Sequence, residues 1–409
     1  MKISIIARTF DVNDNGMESS CFKDLELLIG RIAGICYMRD SYDSDEIQNE
    51  HKAMKRAVMI SELGHHSVYD HSSITLLIEG IPKMLAMILN STRYYSTSEK
   101  SARYTLMKPK TELENELYSK WLDIFKNRIL DKYNDIEGID DTMANKLAQE
   151  NARYLISVFT PTIMAYTTTY RQWNYLIDWF DKLEFKLENA DGFNRILNDN
   201  IVEFNNALKE LFGVRVVEDN KNRSIGFLPI QNGIDIDIGE IKKNNVFGDV
   251  YSVNYKISLA GLAQAHRFRP INYKMIFNDR DSGDYDFYTP EILRDSDELC
   301  KEWISDINKV ADVYPQGLLV DVLEQGLTED FFLKCKERLC GRAQLEVMRS
   351  TLDTLRLIKE NESNLSQYNR NTLNKMVRGG KYVPRCGFGD FECKGKCVWG
   401  IGGALTRGI

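Results

Sequence analysis

A strand pattern passes directly into a helix pattern between residues 74 and 89. Ile74, Leu76 and Ile78 recur at every second position, which predicts one buried face of a β-strand. Pro82 suits the first turn of a following helix, where a missing N–H breaks no hydrogen bond. The apolar residues of that helix recur three and four positions apart: Ile81, Met84, Leu85, Ile88 and Leu89.

Helical spacing also recurs through much of the chain. We predict helices in five further ranges: 20–37, 46–63, 112–134, 140–158 and 193–212. An aromatic-rich helix (TTTYRQWNYLIDWFDKLEF) follows Pro161, and MKISIIARTF at the N-terminus predicts a first strand. In the second half, spacing predicts one long helix over residues 331–360. Residues 214–249 combine strand-like pieces, charges and glycines, which predicts a junction between two domains.

The strand–helix–arginine order of residues 74–95 recurs in YSVNYKISLAGLAQAHRFRPINY, residues 251–273. Placing Arg269 on Arg93 aligns the two predicted strands and the two predicted helices. The chain therefore looks like two copies of one α/β unit. We divide it into a first copy, a second copy and a cysteine-rich tail, residues 1–213, 214–380 and 381–409.

Length, charge and cysteine usage limit the class of protein. A chain of 409 residues favours two or more domains, and its net charge of −7 argues against a general nucleic-acid or membrane-surface binder. The apolar runs are far shorter than a membrane span. Arg8 interrupts the short N-terminal apolar run, which favours a strand over a signal peptide. Eight cysteines without a secretory signal indicate a reducing compartment, so we expect a cytoplasmic protein whose thiols are free or bind metal.

Three short motifs surround the first predicted strand and helix. They are G-H-x-S-x-x-x-H at residues 64–71, T-x-x-I-E-G at residues 75–80 and S-x-R-Y at residues 101–104. The last motif offers a hydroxyl and an arginine fork, which are groups that bind phosphate. Together the motifs resemble the flavin-dependent thymidylate synthases. The resemblance implies reductive methylation of dUMP at C5, with methylenetetrahydrofolate as carbon donor, FAD as hydride carrier and NADPH as reductant.

The resemblance also implies a fold and an assembly. The fold class would be α/β (α+β), with each copy a small, mainly antiparallel sheet with long helices. In the family the active site lies between subunits of a homotetramer, so a fused pair would form a homodimer that resembles the tetramer. Because the family's sites take groups from several subunits, we expect the site to form between chains.

The family signature R-H-R, seven residues, S-x-R-Y is divided between the two copies. In the first copy Arg93 fits the end of R-H-R, whereas Ser91 and Thr92 hold the other two positions. In the second copy Gln264-Ala265-His266-Arg267-Phe268-Arg269 resembles Q-x-x-R-H-R, with Phe268 in place of the histidine. No S-x-R-Y follows it.

Two further arginine motifs are divided in the same way. Ala152-Arg153 in the first copy resembles the family's A-R-x-x-L-P, and the second copy has no arginine at the matching position, Ala311. Arg338 with Ala343-Gln344-Leu345-Glu346-Val347 resembles R-x-x-x-x-A-Q-x-E-I, and the first copy has Phe180 where this arginine would stand. Because the losses do not overlap, we predict that each copy supplies one side of a single site.

The resemblance implies roles for the residues at the matched positions. Nucleotide binding falls to Ser101, Ala102, Arg103, Arg153, Gln264, Arg267 and Arg338. Of these, Ser101, Arg267 and Arg338 would also take part in catalysis. Flavin and folate binding falls to His65, Arg93, Ser96, Glu99, Arg171, Arg267, Phe268, Arg269 and Arg342. The cations would balance the phosphate, the uracil carbonyl as it gains enolate character, and the reduced flavin.

Three cysteines near the C-terminus follow the spacing Cys386-x6-Cys393-x3-Cys397. With Cys340 on the preceding predicted helix, four thiolates would close a tetrahedral zinc-type site. The segment is glycine-rich and too irregular to bury a core of its own, which favours a metal as its organiser. Free thiols in a tail and iron–sulfur ligation are the alternatives.

Two other functions are consistent with these motifs. One is a flavin- and folate-dependent C5 methylase or hydroxymethylase of another deoxypyrimidine nucleotide such as dCMP, which the altered R-H-R motif motivates. The other is a catalytically inactive nucleotide-binding homologue. In that case Ser101, Arg103 and Tyr104 form only a capped, salt-bridged surface loop, and Arg267 and Arg269 a solvated helix end.

Overall fold

The structure of the protein is a computed structural model that covers most of the chain. It describes residues 1–9, 21–37, 41–91, 94–103, 105, 108–187, 190, 192–212, 240–242, 244, 246–277, 285–391, 393–395 and 397–409. The chain forms two compact units. The first comprises Met1–Ala86, Thr92–Lys100 and Pro161–Ser224, and the second comprises Met87–Ser91, Ser101–Thr160 and Ile225–Ile409. Residues 101–160 thus group with the second half of the chain, so the compact units differ from the two proposed sequence copies.

The described residues form helices and short strands. The strands are β1 Lys2–Arg8, β2 Ser73–Pro82, β3 Tyr95–Glu99, β4 Pro161–Thr169, β5 Glu240–Lys242, β6 Val250–Ser258, β7 Asn272–Ile276, β8 Leu319–Leu327, β9 Val377–Arg378 and β10 Lys381–Tyr382. The helices are α1 Cys21–Tyr37, α2 Asp45–Gln48, α3 Glu50–Glu62, α4 Lys83–Leu89, α5 Glu112–Lys132, α6 Asp141–Ala152, α7 Tyr170–Leu187, α8 Gly192–Phe212, α9 Leu259–Ala265, α10 Asp297–Asn308, α11 Thr328–Arg338, α12 Leu345–Glu360, α13 Gln367–Met376 and α14 Gly400–Gly403.

Two four-stranded antiparallel sheets share one topology. The first unit orders its strands β1-β2-β4-β3, and the second orders them β5-β6-β8-β7. Along the chain, a short helix directly follows one central strand of each sheet: α4 follows β2 and α9 follows β6. A longer helix follows the other central strand: α7 follows β4 and α11 follows β8. The mixture of helices and antiparallel sheets confirms the predicted fold class. The shared strand order supports the proposal of tandem copies.

The alternating residues at positions 74, 76 and 78 lie in the sheet of the first unit. All three are fully buried on one face of β2, as the alternation predicts. The strand is longer than predicted, because its last residues pair with Thr162 and Pro161 of β4. Helix α4 therefore begins only at Lys83.

Corresponding segments of the two proposed copies meet within the second unit. Ser157 and Pro315 form an antiparallel bridge, and the sequence separation between them equals that between the first residues of β4 and β8. The Val158 N–H donates to the Tyr314 carbonyl at 2.9 Å, and the Gln316 N–H donates to the Ile156 carbonyl at 2.8 Å. The same sequence separation relates Val158 to Gln316 and Ile156 to Tyr314, so the two bonds are equivalent. The contact therefore has the reciprocal pattern of a local two-fold axis.

The same pairing explains one wrong helix boundary. The helix predicted over residues 140–158 ends as α6 at Ala152, and a short 3-10 turn follows at Arg153–Leu155. Residues 156–158 then form the bridge to residues 314–316. Helical spacing cannot reveal a strand-like contact with a segment so far along the chain.

The long helix predicted over residues 331–360 is broken. It begins earlier, as α11 at Thr328, ends at Arg338, and resumes as α12 at Leu345. The turn between them packs tightly against the C-terminal tail. The Leu339 carbonyl accepts the Arg385 N–H at 2.8 Å, and a Cβ on Gly341 would lie 2.9 Å from the Cys397 Sγ. The Leu339 carbonyl thus bonds to the tail, while the Ala343 N–H donates to the Cys340 carbonyl at 3.0 Å.

Helix α5 joins residues 101–160 to the rest of the second unit. It starts with a capping box formed by Thr111 and Glu114. On its buried face, Trp121 packs edge-on against Trp303 of α10, with 5.0 Å between the ring centres. The Trp121 Nε1 donates a hydrogen bond to Asp306 Oδ2 at 2.9 Å. No helix in the described ranges is both long and apolar enough to cross a membrane.

Candidate active site

The loop that follows β3 places Arg103 against the turn between α11 and α12. Ser101 Oγ accepts the Arg103 backbone N–H at 3.3 Å, so the loop is closed locally. Arg103 Nε donates to Glu150 Oε2 at 2.7 Å, and its Nη2 donates to the Arg342 carbonyl at 2.8 Å. The proposed first-copy loop therefore contacts the proposed second-copy motif within one chain. Tyr104 lies outside the described residues.

Arg338 at the end of α11 lies close to two other arginines. Burial lowers the pKa of Arg338, and the nearby positive charges of Arg103 and Arg267 lower it further. Its Nη1 contacts Glu337 at 3.3 Å, whereas its buried Nε has no hydrogen-bond partner among the described residues. Arg103, Arg267 and Arg338 come from separate segments of the second unit, and positive charges of this kind would suit an anion.

Arg153, in the 3-10 turn after α6, is buried with two unused donors. Its side chain is only 6% exposed, and its Nε and Nη2 make no hydrogen bond within the part of the chain that the structure describes. Buried polar groups are nearly always paired, so these donors indicate that a ligand or water completes the site. The buried Oε1 atoms of Gln264 and Gln344 lack a described partner as well.

Glu346 holds this region together from the start of α12. It accepts the Ser258 N–H at 2.7 Å, the Ser258 hydroxyl at 2.6 Å and the Tyr154 hydroxyl at 3.0 Å. Burial raises the pKa of Glu346, and the bonds from Ser258 oppose that effect. A Cβ on Gly261 would lie 2.7 Å from Glu346 Oε2, so this position of α9 requires glycine. The network fixes α9, which carries Gln264, against α12.

The residues that follow α9 have different exposures. Phe268 is buried in the second unit, Arg267 is half-buried and Arg269 is exposed. Phe268 has no ring nitrogens with which to replace those of the family histidine. Arg342, by contrast, lies beside the tail, where a Cβ on Gly395 would be 3.0 Å from its Nη1.

The remaining predicted cofactor residues belong to the first unit. His65 and Ser96 are exposed. Glu99 pairs with Lys83, and Arg171 Nη1 donates to Asp70 at 2.8 Å. Arg93 lies outside the described residues. The proposed nucleotide set, Ser101, Ala102, Arg103, Arg153, Gln264, Arg267 and Arg338, lies wholly in the second unit.

Three residues of the site have no assigned role in the sequence analysis. Glu150 and Glu346 are carboxylates that bind the arginine loop and α9, and Tyr154 links Glu346 to Gln344. The sequence offers one signal for Tyr154, its position next to Arg153, and one for Glu346, its place in the A-Q-x-E motif. Glu150 carries no such signal, because its partner Arg103 is distant in sequence.

Cys340 and the three C-terminal cysteines, Cys386, Cys393 and Cys397, influence one another electrostatically. Burial raises the pKa of Cys386, and the thiols of Cys393, Cys397 and Cys340 raise it further. Their donor type suits zinc, but among the described residues no three His, Cys, Asp or Glu side chains are arranged to hold a metal ion. Metal binding stays a prediction, and it requires the thiols to approach one another.

We predict one zinc-type ion per chain at Cys340, Cys386, Cys393 and Cys397, because four thiolates close a structural site. Elemental analysis of protein purified without chelator should find close to one equivalent of metal. The Cys393→Ser variant should lose it, whereas Cys300→Ser, which alters a thiol of α10 outside this group, should keep it. Wild-type protein without stoichiometric zinc or iron would contradict the prediction.

Comparisons with known proteins connect the first half of the chain to one family. Residues 20–182 match the family model described as thymidylate synthase complementing protein. A flavin-dependent thymidylate synthase from Corynebacterium aurimucosum is 24% identical over 162 residues, which are 34% of this chain and 63% of that relative. The chain thus spans less than two thirds of the length of the curated relative that it matches.

Two solved structures resemble part of the chain. Thymidylate synthase X from Helicobacter pylori, with FAD and dUMP, is 16% identical and covers 51% of this chain and 92% of its own, with a TM-score of 0.29. A UMP/dUMP methylase from Streptomyces cacaoi bound with 5-Br dUMP is 14% identical and covers 51% and 90%, with a TM-score of 0.31. The family model and the curated relative agree with the family recognised from the motifs: residues 20–182 are similar to the flavin-dependent thymidylate synthases.

Proposed function

We propose that the protein is a methyltransferase that carries out the reductive methylation of dUMP at C5, with methylenetetrahydrofolate and FADH2. The observation that carries the proposal is the 2.8 Å bond from Arg103 Nη2 to the Arg342 carbonyl, which brings the S-x-R-Y loop against the turn that follows Arg338. The resemblance to the family implies a nucleotide site for Arg103, Arg267 and Arg338, and the two proposed sequence copies would supply them in complementary parts. A homodimer resembling the family tetramer belongs to the same proposal.

A nucleotide phosphate would satisfy the charges of this region. Leaving a buried charge without its partner costs on the order of 3–5 kcal/mol, and a bound anion relieves that cost. Arg153 and Arg338 both hold unused N–H donors, and each arginine can bind a phosphate with a fork of two parallel bonds. Ser101 adds a hydroxyl from the loop that carries Arg103. This donor set supports a phosphomonoester as the ligand.

Gln344 supports uracil as the base of that nucleotide. Its Nε2 donates to the Tyr154 hydroxyl at 2.8 Å and lies 3.3 Å from Glu346 Oε2, which fixes the amide orientation. The Oε1 is then left as a buried acceptor without a described partner. Uracil presents an N3–H donor to such an acceptor, whereas cytosine presents a second acceptor there. The arrangement therefore favours dUMP over dCMP.

The residues proposed to hold FAD fit an anionic ring system in part. Arg267 and Arg269 are cations at the end of α9, and Arg267 is close enough to Arg338 to affect its pKa. Phe268 is buried and offers a ring edge rather than a hydrogen bond. When bound, reduced flavin would supply the hydride that the methyl transfer requires. Arg267 would stabilise negative charge on the flavin or on the uracil carbonyl.

We predict that the protein binds FAD and that dUMP changes its visible spectrum. The bound flavin should show its absorption bands after purification or after FAD is added. Turnover with methylenetetrahydrofolate and NADPH should yield dTMP from dUMP, and dCMP in the same assay serves as the control. Product from dCMP alone would favour a C5 methylase or hydroxymethylase of that nucleotide. A colourless protein that fails to bind FAD but still binds dUMP would favour an inactive homologue.

A further inference from the structure

We propose that Tyr273 is a further ligand-binding residue of this site, whose buried hydroxyl donates a hydrogen bond to an oxygen of the bound nucleotide. The proposal rests on the proposed function, because it takes dUMP as the ligand. Tyr273 lies in β7, four residues after Arg269, where the family signature does not continue.

Tyr273 faces the interior of the second unit with an unused hydroxyl. Its side chain is 7% exposed, and its hydroxyl has no hydrogen-bond partner among the residues that the structure describes. The Lys334 ammonium lies 5.3 Å from the centre of its ring, and the residue pairs with Glu324 across the sheet. The ring is thus held in place while the hydroxyl remains available.

The nearest buried carboxylate is already fully used. Glu324 accepts the Tyr251 hydroxyl at 2.7 Å and the Tyr255 hydroxyl at 2.5 Å. Lys334 Nζ donates to both oxygens of the same carboxylate, at 2.8 and 2.7 Å. Tyr273 differs from the other two tyrosines in having no bond to Glu324. A core that saturates this acceptor and leaves one hydroxyl unpaired needs an acceptor from elsewhere.

Helix α11 connects Tyr273 to Arg338. Lys334, whose ammonium lies 5.3 Å from the centre of the Tyr273 ring, stands one helical turn before Arg338, so both side chains lie on one face of the helix. Burial and the charge of Glu324 raise the pKa of Tyr273 well above its usual value, while the charge of Arg338 lowers it. The phenol therefore remains a donor at neutral pH. The Arg338 Nε is also an unused donor. Two neighbouring donors from β7 and α11 suit one oxygen with two lone pairs, such as a phosphate or carbonyl oxygen.

The test compares dUMP binding and thermal unfolding of Tyr273→Phe with those of the wild type and Tyr251→Phe. Tyr273→Phe should weaken dUMP binding roughly tenfold, as expected for a lost hydrogen bond, and leave the melting temperature unchanged. Tyr251→Phe should lower the melting temperature and leave dUMP binding unchanged, because it removes a hydrogen bond to Glu324 inside the core. Deoxyuridine provides a second ligand. If Tyr273→Phe weakens deoxyuridine binding by the same factor, the acceptor is an oxygen of the nucleoside. If deoxyuridine binding is unchanged, the acceptor is a phosphate oxygen.

The outcomes separate this inference from the proposed function. Wild-type protein that binds dUMP while Tyr273→Phe binds it equally well would overturn the role of Tyr273 and leave the proposed function intact. Wild-type protein that does not bind dUMP would overturn both. A melting temperature that falls in Tyr273→Phe together with unchanged dUMP affinity would assign the hydroxyl to the core instead.

Discussion

Arg103→Ala and Arg267→Ala should each abolish turnover with dUMP, although the two residues belong to different sequence copies. Arg103 carries the S-x-R-Y side of the proposed site and Arg267 the Q-x-x-R-x-R side. Losing a charge-assisted contact to the phosphate should weaken dUMP binding by roughly 1.5–3 kcal/mol, about one to two decades, in Arg103→Ala. Arg267→Ala should affect flavin or the reacting base more than the phosphate.

Mixing these two variants should not restore activity. Arg103 donates to the Arg342 carbonyl at 2.8 Å and affects the pKa of Arg338, so one chain joins both sides of the site. Every site in a mixed population then keeps one lesion. The family resemblance alone leads to the opposite expectation, because sites formed between two chains would give hybrids with one intact site. The contact between Arg103 and Arg342 within one chain favours the expectation that mixing does not restore activity.

The measurement is steady-state dTMP formation by each variant and by the mixture after unfolding and refolding together. Arg356→Ala serves as the matched control, because this exposed arginine pairs with Asp353 within α12, has no role in the proposed site and should keep wild-type turnover. Circular dichroism should show that Arg103→Ala, which leaves Glu150 without its partner, still folds. Recovery of activity in the mixture would show that the sites form between chains.

Local patterns predicted the elements, but not how distant elements group. The alternation at Ile74, Leu76 and Ile78 predicted a strand, and the repeat around Arg269 predicted a second strand followed by a helix. Both are confirmed, because each depends only on neighbours in sequence. The grouping of residues 101–160 with the second half has no periodic signal, since it rests on contacts such as Trp121 with Trp303.

The motifs located the arginines of the candidate site better than the groups that hold them. Arg103, Arg153 and Arg338 were found because the family signature marks them. The supports were missed because a buried carboxylate has the same letter as a surface one. Glu150 and Glu324 become identifiable only when Arg103 and Lys334 are seen to pair with them in space.

Lys334→Met should destabilise the second unit more than any substitution considered above. The side chains of Lys334 and Glu324 are 1% and 0% exposed, and the pair is joined by two short bonds. Removing the lysine leaves a buried carboxylate with only tyrosine hydroxyls to balance it. Breaking a buried ion pair on one side typically costs about 3–5 kcal/mol. The variant should therefore unfold at a clearly lower guanidinium concentration than the wild type. Far-ultraviolet circular dichroism measures the unfolding transition.

A double variant separates the effect of the unpaired Glu324 charge on stability from the effect of lost packing in Lys334→Met. Lys334→Met combined with Glu324→Gln removes both charges at similar volume, and neutral replacement of a buried pair is often tolerated. The double variant should therefore unfold at a higher guanidinium concentration than Lys334→Met alone. Lys336→Met on the same helix breaks only an exposed pair with Asp390 and should cost less than about 1 kcal/mol. If Lys334→Met unfolds at the wild-type midpoint, the pair does not stabilise the fold, and the rigid support inferred for Tyr273 fails with it.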